Sequence, residues 1–459
     1  MEKQDPYCLK WIALLGVCLL AFTAFLDATI VNTALPFIQI ALKADILQLQ
    51  WVANIFTLIL SMTMIAVGKI SDLLGRKRVF YVGVVIFAIG ALGAGFSNAI
   101  SVLVCFRALQ AIGASIVFVV SAALLSDVFP ENEREKAIGI YGGITGLGLM
   151  IGPFLGGILV EFLGWRWVFW INLPLIAVGL VACLLGLKRQ IYAKISVAMD
   201  GKSLLLLMVG LASLMYGITK GAELSWSSYV PWVCLIAGVL ALAWLVIMDE
   251  SKKNALLDLP IFKDKLIALS ALSCALAGVA STVFMFFDPL YLRILKHLSA
   301  FEIGLLIAVI PTAQLLISFV FSRLICRFGI ANLLFFSIAA AFTAILLHRF
   351  ILEETSLFFL GFPFFLLGVN WGLSNSTMIA AVNRVIASHK VGAAIGTIAT
   401  IWNVTGSILL AFSAAVFKAE EAQSSFLPAF HRMVDWNILF SALLFLFALW
   451  IQRRRQLKS

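Results

Sequence analysis

Fourteen apolar runs joined by short connections leave this chain few ways to fold. A membrane helix needs about 20 mostly apolar residues to cross a hydrocarbon core of about 30 Å. Hydropathy windows place such runs at 11–36, 49–68, 79–97, 101–124, 137–160, 167–187, 203–219, 230–248, 266–290, 303–322, 331–347, 356–381, 391–417 and 436–451. No connection is long enough to fold as a separate soluble domain. A soluble alternative fails on composition: 63% of the 459 residues are apolar and 12% are charged, about half the charge of an ordinary globular protein. A soluble fold cannot hide that much hydrocarbon, because much of any folded surface must face water. Soluble enzymes, disulfide scaffolds and disordered proteins are thereby excluded, and the chain reads as an all-α polytopic membrane protein in the lipid bilayer.

Charge distribution tests the count and gives the orientation. With fourteen spans, both termini and every even-to-odd loop share one side, which holds 24 of the 33 Lys and Arg residues. The opposite loops hold Lys43, Arg166, Lys220, Arg293, Lys296, Arg349, Lys418 and Arg432, and Arg107 lies inside a span. This excess of basic loops predicts that both termini are cytoplasmic. Topology thus accounts for the net charge of +10, and no basic face interleaved with stacking aromatics points to nucleic acid. The first apolar run continues past Asp27 to Pro36 without a clean small-residue cleavage site, so a retained span is expected rather than a signal peptide. The short loops favour a bacterial inner membrane.

The seven cysteines are scattered without C-x-x-C spacing and read mainly as packing residues. Two glycosylation patterns, at Asn375 and Asn403, fall inside apolar spans and are chance matches there. Gly201-Lys202-Ser203 resembles the end of a phosphate-binding loop, but Ser196 stands where its first glycine is needed. With no ATPase domain, any transport work would have to draw on an ion gradient. No His/Cys/carboxylate cluster or sensing domain suggests an enzyme or receptor, and neither a cofactor nor a metal is expected.

Three formal charges fall within the spans: Asp27, Arg107 and Asp288. Each costs at least ~2.5–3.5 kcal/mol at mid-bilayer, so each needs a reason. Asp288 lies two residues from the outer end of its span, and is expected to be an interfacial carboxylate reaching water. Asp27 lies about 24 Å into the first span from the cytoplasmic side, and Arg107 about 9 Å below the outer surface, at 1.5 Å per residue. The two therefore share a depth. Either they form a permanent ion pair that fixes helix packing, or Asp27 is a titratable carboxylate in a water-accessible cavity with Arg107 biasing its proton affinity. Asn32, Thr33 and Gln110, on the same two spans, would line that cavity.

The fifth span carries Gly146-x-Gly148-x3-Gly152-Pro153-x2-Gly156-Gly157. Gly148, Gly152 and Gly156 recur every four residues and make a smooth face for close helix contact. Pro153 removes a backbone donor and kinks the helix, which is tolerable only where neighbours or water satisfy the freed carbonyl. The loop after span two reads Gly68-Lys69-Ile70-Ser71-Asp72-Leu73-Leu74-Gly75-Arg76-Lys77-Arg78. An acid followed by three bases between turn-forming glycines suits a breakable charge latch between helix ends, with Asp127 as a second acid.

These segments together resemble the major facilitator superfamily, specifically its fourteen-helix drug:proton antiporter branch. Gly68–Arg78 resembles that superfamily's loop 2–3 signature, and Arg107–Gly113 its fourth-helix arginine motif, with Ala111 where glycine is usual. Gly148–Gly157 resembles the fifth-helix antiporter motif. Leu26–Pro36 and Trp165–Pro174 are similar to the first-helix and sixth-helix signatures of the fourteen-helix branch. A degraded copy of the loop signature, Ser322–Gly329, lies 254 residues after the first, with Cys326 in place of Asp72. That offset suits two pseudo-symmetric six-helix bundles (1–187 and 266–459) separated by an inserted helix pair with linkers (188–265). An internal repeat of this kind is what alternating access requires.

The resemblance implies a proton-coupled antiporter, acting as a monomer, that exports small amphipathic or lipophilic compounds. Asp27 would be the proton- and substrate-coupling acid and Arg107 its electrostatic partner. The glycine helix would seal the two halves, and the 68–78 latch would stabilise the outward-open state. Asn370, Trp371, Asn375 and Asn403, in spans twelve and thirteen, are the expected C-terminal contributors. Span ten offers only Glu302 at its outer edge and Gln314, so doubly charged cargo is not favoured. An exporter of a metabolite such as a siderophore or fatty acid is the alternative, and a proton-driven importer a further one.

Overall fold

Long apolar stretches with few internal prolines satisfy their backbone groups most completely as helices, the only open-chain solution in lipid. The computed structural model describes residues 6–187, 201–224, 227–250, 259–386 and 391–456, and every regular element there is helical. In chain order these are α1 (Pro6–Leu42), α2 (Ile46–Leu74), α3 (Arg76–Gly95), α4 (Ile100–Val128), α5 (Glu131–Leu163), α6 (Trp167–Trp170) and α7 (Asn172–Gly186). They continue with α8 (Gly201–Leu224), α9 (Tyr229–Glu250), α10 (Lys265–Val279), a π-helical turn (Ala280–Phe284), α11 (Met285–Ile294) and α12 (Ala300–Ile307). The last four are α13 (Val309–His348), α14 (Leu357–Val385), α15 (Val391–Glu421) and α16 (Phe426–Gln456).

Among the described residues, thirteen helical segments are long and apolar enough to cross a membrane, one fewer than expected. The difference lies at Ala300–His348, a single segment of 49 residues. At 1.5 Å per residue it measures roughly 73 Å, more than twice a hydrocarbon core, and it contains both runs read as spans ten and eleven. Gly329 breaks it, with φ 74° and ψ 162°. Gly75 breaks the chain between α2 and α3 in a similar way, at φ 93° and ψ 120°. Both positions need the positive φ that glycine adopts without a Cβ penalty, and they occupy corresponding places in the two copies of the loop signature.

The chain divides into two units. Unit 1 comprises residues 1–44, 51–199 and 299–305; unit 2 comprises 45–50, 200–298 and 306–459. In unit 1, α1 is the central element, packed on α5, α7 and α4, while α3 lies along α4. Small residues set these approaches. A Cβ added at Gly90 of α3 would lie 2.6 Å from the backbone nitrogen of Gln110, and one at Gly186 would strike the backbone of Ala13. In unit 2, α13 packs extensively on α14, and α10 packs on α15 and α14. A core of Leu269, Leu276, Leu334, Ile338 and Ala341 fills the space among α10, α13 and their neighbours.

Outward faces keep their apolar side chains, as a lipid environment demands. Val178, Val181, Leu184 and Leu185 of α7 are exposed, as are Val233, Ile236, Leu240 and Ile247 of α9. The polar groups turn inward instead.

Gly90→Ala is expected to destabilise the protein by about 1–3 kcal/mol, the usual cost of overpacking against atoms that cannot move aside. A Cβ added at Gly142 would meet nothing within 4 Å, so Gly142→Ala should be neutral or stabilise by up to about 1 kcal/mol through helix propensity. Chemical-denaturation midpoints in detergent check both. An unchanged midpoint for Gly90→Ala would contradict the close α3–α4 approach.

Candidate functional site

The polar interior of unit 1 is built around Asp27. It sits on α1, and its side chain is fully buried. Arg107, 2% exposed on α4, donates from Nη1 to Asp27 Oδ2 at 2.6 Å. Gln110, one helical turn further along α4, accepts from the same Nη1 at 2.8 Å and donates from Nε2 to Asp27 Oδ1 at 2.8 Å. The spacing of three residues puts both α4 side chains on one face, and the Gly90 contact holds that part of α4 against α3. Asn172, the first residue of α7, completes the carboxylate's set by donating from Nδ2 to Oδ1 at 2.8 Å.

The guanidinium is as fully held as the carboxylate. Its Nε donates to the Val52 carbonyl at 3.3 Å. Phe56 lies 4.2 Å and Phe169 5.8 Å from its central carbon, ring centroid to Cζ. Such cation–π contacts are worth most where water is excluded, about 2 kcal/mol or more when desolvated. The Asn172 side-chain oxygen, also buried, has no hydrogen-bond partner, so the site keeps one open acceptor.

This arrangement differs from the expected water-lined cavity. In this conformation Asp27 has no exposed surface, and donors from two helices close on its carboxylate. Thr33 is buried and donates to its own helix at Ile30 O, 2.9 Å away. Asn32 is half-buried and takes no part in the described hydrogen bonds to Asp27. Asn172 is a site residue that the sequence does not single out. The signal available is an amide in an apolar run beside Pro174, within the segment Trp165–Pro174.

The glycines of α5 face α1. A Cβ at Gly148 would lie 2.8 Å from Phe22 O, and one at Gly156 2.7 Å from Ile30 O; at Gly152 it would strike Thr29 Oγ1. Thr29 itself donates across this seam to Leu149 O at 3.2 Å. Gly157, on an adjoining face, lies against Ala300 and Gly304. Pro153 is inside α5, and its own carbonyl comes within 2.5 Å of a Cβ position on Gly304. The motif is therefore a helix-contact surface one turn removed from the Asp27 carboxylate.

At the 68–78 loop, Arg76 pairs with Asp127 at 2.9 Å, each about one quarter exposed. Lys77 donates to the Leu187 carbonyl, and nearby Lys10 pairs with Glu133 at 2.6 Å. Gly75 supplies the break between helices described above, and a Cβ added at Gly68 would come no nearer than 3.8 Å to Val119. The side chain of Asp72 lies outside the described residues.

The four C-terminal candidates are not brought into one site. Asn370 is buried in a polar cluster where Ser273 donates to Ser337 at 3.0 Å and lies 2.7 Å from Ser374 Oγ. Its Nδ2 donates to Ser337 O at 3.1 Å and ties α14 to α13, while Ser273 joins α10 to the same cluster. Trp371 instead packs on Trp402, 6.1 Å between centroids. Asn375 is exposed and Asn403 half-buried. Asp288 does not reach water as expected: it is 1% exposed, with His348 of α13 3.4 Å from its carboxylate. Among the described residues, no group of three or more His, Cys, Asp or Glu is placed to hold a metal ion.

Comparison with known proteins fits this architecture. The riboflavin transporter RibZ of Clostridioides difficile (strain 630) is 29% identical over 411 residues, covering 89% of this chain and 88% of that one. The multidrug resistance protein Stp of Mycobacterium tuberculosis (strain CDC 1551 / Oshkosh) is 31% identical over 319 residues, 69% of this chain; the match spans only 59% of Stp. The crystal structure of an auto-inhibited POT family peptide transporter superposes with a TM-score of 0.72 at 15% identity, covering 97% of each chain, and shows a shared fold. The family model of the Major Facilitator Superfamily matches residues 17–410. This chain is a multi-pass membrane transporter belonging to the Major Facilitator Superfamily.

Proposed function

We propose that the protein is a proton-coupled antiporter of the fourteen-helix branch that exports small amphipathic or lipophilic compounds by alternating access. The observation that carries this reading is the buried Asp27–Arg107 pair with Gln110 and Asn172 on the same carboxylate. Oδ2 has one guanidinium donor, and a proton bound by the carboxylate cancels the negative charge that holds that donor. Protonation therefore releases Arg107, and deprotonation lets it return. Leaving either charge buried and unpaired is costly, about 3–5 kcal/mol for the loss of one partner, so the two events must be exchanged one for the other. A cationic substrate near the carboxylate competes in the same way. Each tenfold proton ratio across the membrane supplies about 1.36 kcal/mol to drive export.

In this reading the α5 glycine face seats α5 on α1 within the first six-helix bundle, and α8 and α9 are the inserted pair. The Arg76–Asp127 pair is a latch that opens and closes with one conformation, and the termini are cytoplasmic in a bacterial inner membrane. The name of Stp supports drug-like cargo. The length of the RibZ match supports a second reading, in which the same machinery moves a metabolite. Dye export from deletion cells, set against a metabolite screen, separates the two.

Substrate-induced proton release from the protein in liposomes tests the coupling. Asp27→Asn is expected to lose it while remaining folded; equal release from variant and wild type would reject Asp27 as the coupling acid. The latch makes a second prediction. Arg76→Asp and Asp127→Arg should each slow transport, and the double exchange should recover much of the rate, with a coupling of about 0.2–1 kcal/mol as befits a partly exposed pair. Additive effects in the double variant would mean that the pair plays no part in the cycle.

A further inference from the structure

A second ionisable pair lies inside unit 2, outside the site described above. Asp288 Oδ1 is 3.4 Å from His348 Nε2, and both side chains are buried. His348 Nδ1 is 2.7 Å from the Ala344 carbonyl oxygen. A carbonyl only accepts, so Nδ1 carries the ring proton, and a neutral ring then turns the Nε2 lone pair toward the carboxylate. Asp288 Oδ2 and His348 Nε2 are both buried without a hydrogen-bond partner. Around them the surroundings are apolar: Phe284 packs on the imidazole at 4.3 Å and Phe364 of α14 at 6.1 Å, while Phe287 packs on Phe417 of α15.

The neighbouring charged groups are turned to other partners. Arg349, which follows α13 directly, pairs with Asp435 of α16 at 2.8 Å. His431 of α16 meets the Ile351 carbonyl at 2.7 Å. On α11 itself, Tyr291 donates to Leu352 O and Arg293 to Leu298 O. Tyr291 is also acted on electrostatically by Asp288 itself and, more weakly, by Glu353 in the connection after α13. His348 Nε2 faces the Asp288 carboxylate at 3.4 Å, and Tyr291, its hydroxyl turned to Leu352 O, is a second titratable group coupled to it.

Two lone pairs aimed at each other across 3.4 Å repel; one proton between them converts the contact into a hydrogen bond. We infer that Asp288 and His348 form a second proton-binding site that takes one proton from water and returns it as α11 moves against α13, an inference that rests on the antiport reading for its place in the cycle. With the proton the pair is neutral overall, whether as carboxylic acid and imidazole or as carboxylate and imidazolium. Without it an unpaired carboxylate stays in an apolar pocket, so release must accompany separation of the two side chains.

The local backbone supplies the means to separate them. The π-helical turn Ala280–Phe284 ends four residues before Asp288, and Pro289 follows it directly. A π turn holds one residue more than an α turn, and proline leaves a carbonyl without its donor; both are recurrent places for a helix to change register. Trp402 of α15 donates to Ser281 Oγ within the π turn at 3.0 Å. Movement of α15 is in this way transmitted to the segment that carries Asp288.

The test is a substrate-free pH titration of the whole protein between about pH 5 and about pH 8, the range in which an imidazole changes charge. Ring ¹⁵N shifts of His348, assigned with His348→Gln, and the infrared C=O stretch of protonated carboxylic acids are followed together. The inference predicts a titration seen in wild type and in Asp27→Asn but lost in Asp288→Asn. His348→Gln should move the remaining Asp288 transition by about one pH unit or more, a tenfold change in proton affinity. If Asp288→Asn does not fold, the wild-type signals decide: ring nitrogens of His348 and a carboxylic-acid C=O band that both stay constant across the range overturn the site. Identical titrations in wild type and Asp288→Asn overturn it as well. Substrate-driven proton release is then measured on the same preparations. Its loss in Asp288→Asn as well as in Asp27→Asn supports a role in the cycle, and full release in Asp288→Asn overturns that role. Absence of release in wild type removes the antiport reading, and with it the site's place in the cycle, while the titration still decides proton binding.

Discussion

Unit 1 is organised by the need to keep one carboxylate charged or neutralised inside a bundle that faces hydrocarbon. An aspartate at that depth costs at least ~2.5–3.5 kcal/mol to insert, and the surrounding structure offsets that cost group by group. Arg107 neutralises Asp27. Gln110 and Asn172 fill its second oxygen. Phe56 covers the guanidinium, and the absence of a side chain on Gly90 lets α3 press against the turn that holds Gln110. A set so complete has two physical uses, permanent cross-bracing or exchange of one partner for another. Exchange is the one that links the site to work against a gradient.

Unit 2 meets the same solvent with different chemistry. A buried polar cluster there is neutral: Ser273, Ser337, Ser374 and Asn370 bond to one another across α10, α13 and α14. Hydroxyl and amide groups of this kind act as interhelical glue worth roughly 0.6 kcal/mol each. The repeat visible in the two chain-breaking glycines, Gly75 and Gly329, is therefore a repeat of backbone geometry and not of the polar interior.

Much of this is legible from one dimension because the bilayer makes charge placement expensive. Asp27 and Arg107 stand out as charges in apolar runs, and helical rise alone places them at one depth; they lie 2.6 Å apart. Asn172 is not legible, since an amide in an apolar run looks the same whether it serves a carboxylate or a neighbouring helix. Asn370 shows the converse case, an amide expected at a substrate site that instead binds serines. Distance from a span's end misplaces Asp288, because its partner His348 is sixty residues later and nothing local announces it. The span count differs for a similar reason. Hydropathy registers the two runs on either side of Gly329, but not that the helix continues up to that residue and resumes directly after it.

The central claim is that the Asp27–Arg107 contact is exchanged and not permanent. The most direct measurement is the separation of Asp27 Oδ2 and Arg107 Nη1 in experimental structures of the two oppositely facing states, one of them at low pH. The account predicts the 2.6 Å contact in one state and a separation beyond about 4 Å, outside ion-pair range, in the other. The same short contact in both states would contradict it.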